Sequence, residues 1–156
     1  MKFLRWLVIA LGIILGVVAI SWVYTTYQLA HARSDGVFQT PEEGMLALVD
    51  QYYPPDREVK MLYAGPNSKD GSKPYIWYVI MEVYASARAD GSAMGDNGCD
   101  APGSYFLQTK EGWVHVPEQD FPEIIGFWMN VFNLAGAGQS TPTTDWTPGH
   151  EGRFCQ

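Results

Sequence analysis

The chain has 156 residues, enough for one small domain with a segment to spare. Its net charge of −7, with 17 acidic against 10 basic residues, disfavours binding to a nucleic-acid backbone or to anionic lipid headgroups. The simplest use of that charge is solubility.

The spare segment is N-terminal. Leu7 to Tyr24 reads LVIALGIILGVVAISWVY, eighteen residues without a charge, and Ser21 is its one clearly polar member. At about 1.5 Å per residue such a helix spans roughly 27 Å, close to the hydrocarbon core of a bilayer. Lys2 and Arg5 precede it, while Trp6 at one end and Trp22, Tyr24 and Tyr27 at the other fit interfacial aromatic belts. The basic flank predicts a cytoplasmic N-terminus and a domain on the far side. Setting Lys2 and Arg5 aside takes the −7 to −9 for the exported part. A cleaved signal peptide is the competing reading, with Ala30-His31-Ala32 as a small-x-small site. Against it, the apolar run exceeds the roughly 7 to 15 residues of a signal h-region. No cysteine follows the run to carry a lipoprotein anchor.

After the run, Thr25 to Gln39 could extend the helix to about Arg33, and Ser34-Asp35-Gly36 reads as a stop. TPEEGMLALVDQYYPP then predicts a helix: Thr40 caps it, Pro41 fits its first turn and Glu43 completes a capping box. Met45, Leu48, Val49 and Tyr52 share one face, and Pro54-Pro55 ends the helix. EVKMLYAGP predicts a strand with Val59, Met61 and Tyr63 on its buried face. A turn cluster follows, and YIWYVIMEVYASA then reads as a central strand, apolar on both sides. A Gly/Asp/Asn-rich loop covers residues 91–103. SYFLQTKEGWVHV predicts a hairpin in which Gly112 takes a positive φ. DFPEIIGFWMNVFNLAG predicts a last helix, capped by Asp120 and with Pro122 and Glu123 in its first turn. Its polar positions Glu123, Gly126, Asn130 and Asn133 form one narrow stripe.

This order predicts an α+β fold: an N-terminal single transmembrane helix followed by a small antiparallel sheet packed with two helices. The expected segments are residues 1–5 in the cytoplasm and 6–27 as a transmembrane signal-anchor helix. A juxtamembrane linker occupies 28–39, an exported α+β domain 40–135, and an irregular C-terminal tail 136–156.

No common catalytic signature occurs: there is no G-x-S-x-G, no H-E-x-x-H and no C-x-x-C. GPNSKDGSKP resembles a phosphate loop only superficially, since a strand and not a helix follows it. His31, His115 and His150 lack the convergence a zinc site needs, so no metal is assigned and no cofactor is expected. His115 shares a strand face with Trp113 and is expected to be half-buried and hydrogen-bonded. A Cys99–His115 nucleophilic pair is conceivable, but neighbouring carboxylates disfavour the thiolate. Asp90, Asp96, Asn97 and Asp100 are oxygen donors of the kind Ca²⁺ takes, although they lack EF-hand spacing, and the same residues dominate ordinary turns. In an exported domain two cysteines suit one bridge, so a Cys99–Cys155 disulfide is expected; closing about 56 residues, it contributes on the order of 4 kcal/mol.

Tyr75, Trp77, Tyr78 and Tyr84 crowd one strand, chiefly as core and alternatively as a stacking surface for a ligand. In the last helix, Ile124, Ile125, Phe127, Trp128, Met129, Val131, Phe132 and Leu134 cover more than one face. A small domain buries one such face, and the excess marks contact with a partner or with lipid. Ile125, Trp128 and Phe132, or the neighbouring face, are the candidate partner-binding residues. The functional expectation is a non-enzymatic, membrane-anchored extracytoplasmic domain that docks on a protein partner, as an accessory subunit of a membrane complex. An extracytoplasmic module binding peptide, glycan or a small molecule is the alternative. A hydrolase is the third reading, with no residue set behind it.

Overall fold

The computed structural model describes residues 2–67, 73–136 and 155. The turn cluster at 68–72, most of the C-terminal tail and His150 lie outside the described residues. The fold is α+β. Three helices, α1 (Lys2–Asp35), α2 (Pro41–Tyr52) and α3 (Pro122–Val131), pack with an antiparallel sheet. Its strands β1 (Glu58–Pro66), β2 (Ile76–Tyr84), β4 (Gly103–Gln108) and β5 (Trp113–Val116) lie side by side in that order. The short β3 (Cys99–Asp100) pairs with the far end of β2.

Local signals account for several of these elements. Thr40 Oγ1 accepts from the Glu43 amide at 3.1 Å, and the Glu43 carboxylate accepts from the Gln39 amide at 2.9 Å. The capping box therefore closes one residue earlier than its usual partner. β2 has two covered faces, as its unbroken apolar run predicts. Trp77, Val79, Met81 and Val83 meet Met45, Val49 and Tyr53 of the α2 side. Ile76, with Tyr75 and Leu107, joins Ile125 and Met129 on the other. β1 begins with the expected alternation, but a register shift between Met61 and Tyr63 reverses it, so Ala64 and not Tyr63 enters the α2-side core.

The largest departure concerns α1. It runs unbroken to Asp35, and one face of its last third enters the core: Leu29 and Ala32 are 3% and 5% exposed and pack with Val114, Val116, Ile125 and Met129. The stretch 28–39, read from the sequence as a linker, is thus part of the domain. Beyond the helix, Phe38 forms a bridge with Trp113, exchanging two hydrogen bonds of 2.8 Å along the outer edge of β5. Gly112 permits that approach, since a Cβ there would sit 2.7 Å from the Phe38 carbonyl oxygen. Its φ of +145° bears out the positive-φ reading.

α3 differs from expectation at both ends. Asp120 does not cap it, because a 3₁₀ turn over Glu118–Asp120 directs that side chain to α1, where it accepts from Gln28 Nε2 at 2.7 Å. Phe121, at a φ of 51°, takes the N-cap position. The helix ends at Val131 and not near Gly136. Asn133 adopts a left-handed φ of 54°, and the Leu134 amide reaches back to the Met129 carbonyl at 2.7 Å.

Candidate functional site

Three places concentrate chemistry-bearing side chains: the Cys99 loop, a cleft over β5, and the outer face of α3. In the loop, Cys99 is bonded to Cys155, with Cα atoms 5.4 Å apart. The Cys155 amide donates to Glu82 Oε1 at 3.0 Å, so the bridge fastens the last described residue to β2. A Cys99–His115 nucleophilic pair is incompatible with this bond.

Asp100 is the hub of the same loop. Its carboxylate accepts from Arg88 Nε at 2.7 Å and Nη2 at 3.0 Å, from the Gly95 amide at 2.9 Å and from the Tyr53 hydroxyl at 3.2 Å. Burial pushes this carboxyl up, but Arg88 and the Gly95 amide outweigh it and hold it below its ordinary range. Asp90 accepts from the Ser92 amide at 2.9 Å, an Asx-type turn. The oxygens offered to calcium in the sequence reading are thus engaged by the protein itself at Asp90 and Asp100. Among the described residues, no group of three or more His, Cys, Asp or Glu side chains converges as a metal site.

The second place is a cleft of about 570 Å³ between the end of α1, α2 and β5. Gln28, His31 and Asp35 line it from α1, Gln51 and Tyr52 from α2, and His115 from β5. His115 is half-buried, packs against the Phe106 ring and is hydrogen-bonded through Nε2 to Ser104 Oγ at 2.6 Å. The sequence placed His115 with Trp113 correctly but missed Ser104. Hairpin register held the signal, since both side chains fall on the α2 side of neighbouring strands. A serine nucleophile needs a base that a third group orients. Among the described residues, no carboxylate is hydrogen-bonded to this ring, and Asp35 and Asp120 act on it only through space.

Burial pushes the His115 imidazole below its ordinary 6.5, against the opposing pull of Asp35 and Asp120. Below that value the unfolded chain takes up a proton that the folded chain resists, so stability is full above pH 6.5 and is lost as pH falls through the depressed value. His115→Gln is therefore expected to flatten the acid limb of thermal stability between about pH 7 and pH 5. An unchanged limb contradicts this assignment.

At α3, the helical spacing sorts the candidate partner residues. Pro122, Ile125, Gly126 and Met129 face the sheet, and a Cβ at Gly126 would lie 2.6 Å from Ile76 Cδ1. Gly126 is a close-packing position and not part of a solvent stripe. Ile125, at 0% exposed, is core and unavailable to any partner. Trp128 is half-buried, between Phe127 and Phe132, and Phe132 is 39% exposed. The neighbouring face holds the open apolar surface: Phe127 is 55% and Val131 53% exposed, with Ile124 and Phe121 beside them. Of the strand aromatics, Tyr75 and Trp77 are buried; Tyr78 pairs with Tyr105 at 5.0 Å, and the Tyr84 hydroxyl donates to Glu82. No protein family, no curated protein and no solved structure matches the chain.

Proposed function

We propose that this protein is a membrane-anchored, non-catalytic domain on the extracytoplasmic side, serving as an accessory subunit of a membrane protein complex. One observation carries the reading: the apolar helix and the domain are a single piece. α1 is the one described helix long and apolar enough to cross a membrane, and its final turns are built into the core through Leu29 and Ala32. A flexible tether suits a domain that searches for ligand. A helix continuous with the core instead fixes the height and orientation of the domain, which suits a standing contact with a neighbour in the same membrane.

The span supports this further. Nothing lies within 4 Å of a Cβ placed at Gly12 or at Gly16, and the two glycines share one helical face. Such spacing lets the backbone of another helix approach closely. The basic flank of Lys2 and Arg5 favours the cytoplasmic placement of the N-terminus.

Purification of the full chain in mild detergent, without crosslinker, is expected to bring down a stable stoichiometric partner. The cleft over β5 favours the second reading, a ligand-binding module. A lone monomer that binds peptide, glycan or a small molecule in that cleft would replace the first reading with the second.

A further inference from the structure

The exposed apolar face of α3 is continuous with the exposed apolar surface of α1. The Phe132 ring centroid lies 4.0 Å from that of Trp22, inside the uncharged run. At the other end of α3, the Tyr24 hydroxyl donates to the Asp120 carbonyl at 3.0 Å, and Gln28 holds the Asp120 side chain. α3 therefore starts beside Tyr24, the last residue of the apolar run, and Gln28 just past it, and finishes beside Trp22, within it. From Phe132 the apolar face passes through Trp128 to Ile124, Val131 and Phe127, opposite the face that meets the sheet.

The polar residues of α3, Glu123 and the exposed Asn130, run along one flank of that surface. The helix's single charged residue, Glu123, accepts from Asn67 Nδ2 at 2.8 Å and pairs with Lys73. A helix with aromatic and aliphatic residues on one face and the sheet on the other is built to lie in the boundary between headgroups and acyl chains. The aromatic content suits that depth, where Trp rings at the ends of spanning helices also reside.

We infer that the outer face of α3 is seated in the outer interfacial layer of the bilayer that α1 crosses, giving the domain a second, monotopic contact with lipid beside its anchor. The inference rests on the reading of α1 as a membrane anchor. The partner of this face is lipid and not protein, because the face begins at the height of the aromatic end of the span and joins its surface through the Trp22–Phe132 contact. The net charge of −7 makes zwitterionic headgroups the compatible surface. Protein contacts then fall to the span itself and to the side of the domain away from the bilayer.

Nitroxide labels on single introduced cysteines test this in the full chain, with Cys99 and Cys155 kept in their bridge. Phe127→Cys and Val131→Cys report α3, Leu15→Cys reports the span, and Leu46→Cys on α2 reports the solvent-facing side. In phosphatidylcholine vesicles, the labels at Phe127 and Val131 are expected to match Leu15. They should be open to oxygen and closed to a water-soluble nickel complex, whereas Leu46 should show the reverse. Nickel access at Phe127 and Val131 with none at Leu15 would overturn the inference and leave the anchor standing. Nickel access at all four positions would overturn the anchor itself. Shielding of Phe127 and Val131 from both reagents would place protein, such as a second copy, on this face and also overturn it.

Discussion

Removing the Cys99–Cys155 bridge, by reduction or by the double change Cys99→Ser and Cys155→Ser, is expected to destabilise the domain by about 4 kcal/mol on the chain-entropy estimate. The bond closes a loop with a sequence separation of 56 residues, and the denatured chain regains the corresponding freedom once it is cut. Native contacts are lost with it. Cys99 sits on β3, paired to Tyr84, and the Cys155 amide is bonded to Glu82, a carboxylate only 5% exposed. Small domains hold roughly 5 to 15 kcal/mol in total, so the loss is a large fraction of the stability. The thermal midpoint should fall by on the order of 10 °C or more. Thermal unfolding before and after reductant reads this directly, and an unmoved midpoint contradicts it.

The second large effect is expected at Leu29. Leu29→Ala removes a side chain that is 3% exposed and packed among Val114, Val116, Ile125 and Met129. Large-to-small changes at such sites cost about 2 to 5 kcal/mol, from lost transfer free energy and from the cavity left behind. Leu15→Ala, on the same helix but 59% exposed within the chain, should leave the unfolding of the domain unchanged within about 0.5 kcal/mol. Denaturant titration in detergent, followed by near-ultraviolet dichroism of the buried Trp77 and Trp113, separates the two. Equal, small effects at both positions would mean that the last third of α1 is a tether and not a core element.

What the sequence disclosed was local. Thr40, Pro41 and Glu43 set the start of α2 through a cap that depends on neighbouring residues only. β1 fell where EVKMLYAGP placed it, and the unbroken apolar run of β2 announced a strand covered on both faces. The cysteine count, read with the export expected from the apolar run, was enough to pair Cys99 with Cys155. What escaped was set by tertiary packing. Beyond Tyr24 the buried face of α1 is Thr25, Leu29 and Ala32, at helical spacing but with Leu29 as its one large apolar member, so its apolar signal is weak in a stretch otherwise rich in polar residues. The reversal within β1 leaves no mark in its composition. Ile125 looked as available as its neighbours until α3 was seated against Ile76, which also gave Gly126 its purpose. Ser104 is unremarkable in sequence, and hairpin register alone brings it to His115.

Amide hydrogen exchange over residues 24–33, in the full chain reconstituted in lipid, tests most directly the claim that α1 and the domain are one rigid unit. All but Tyr24 lie past the apolar run, where a helix of so few turns would open readily in water if nothing held it. The account predicts slow exchange there, matching β2 and lost only on global unfolding of the domain. Fast exchange across 24–33, with β2 still protected, would contradict it.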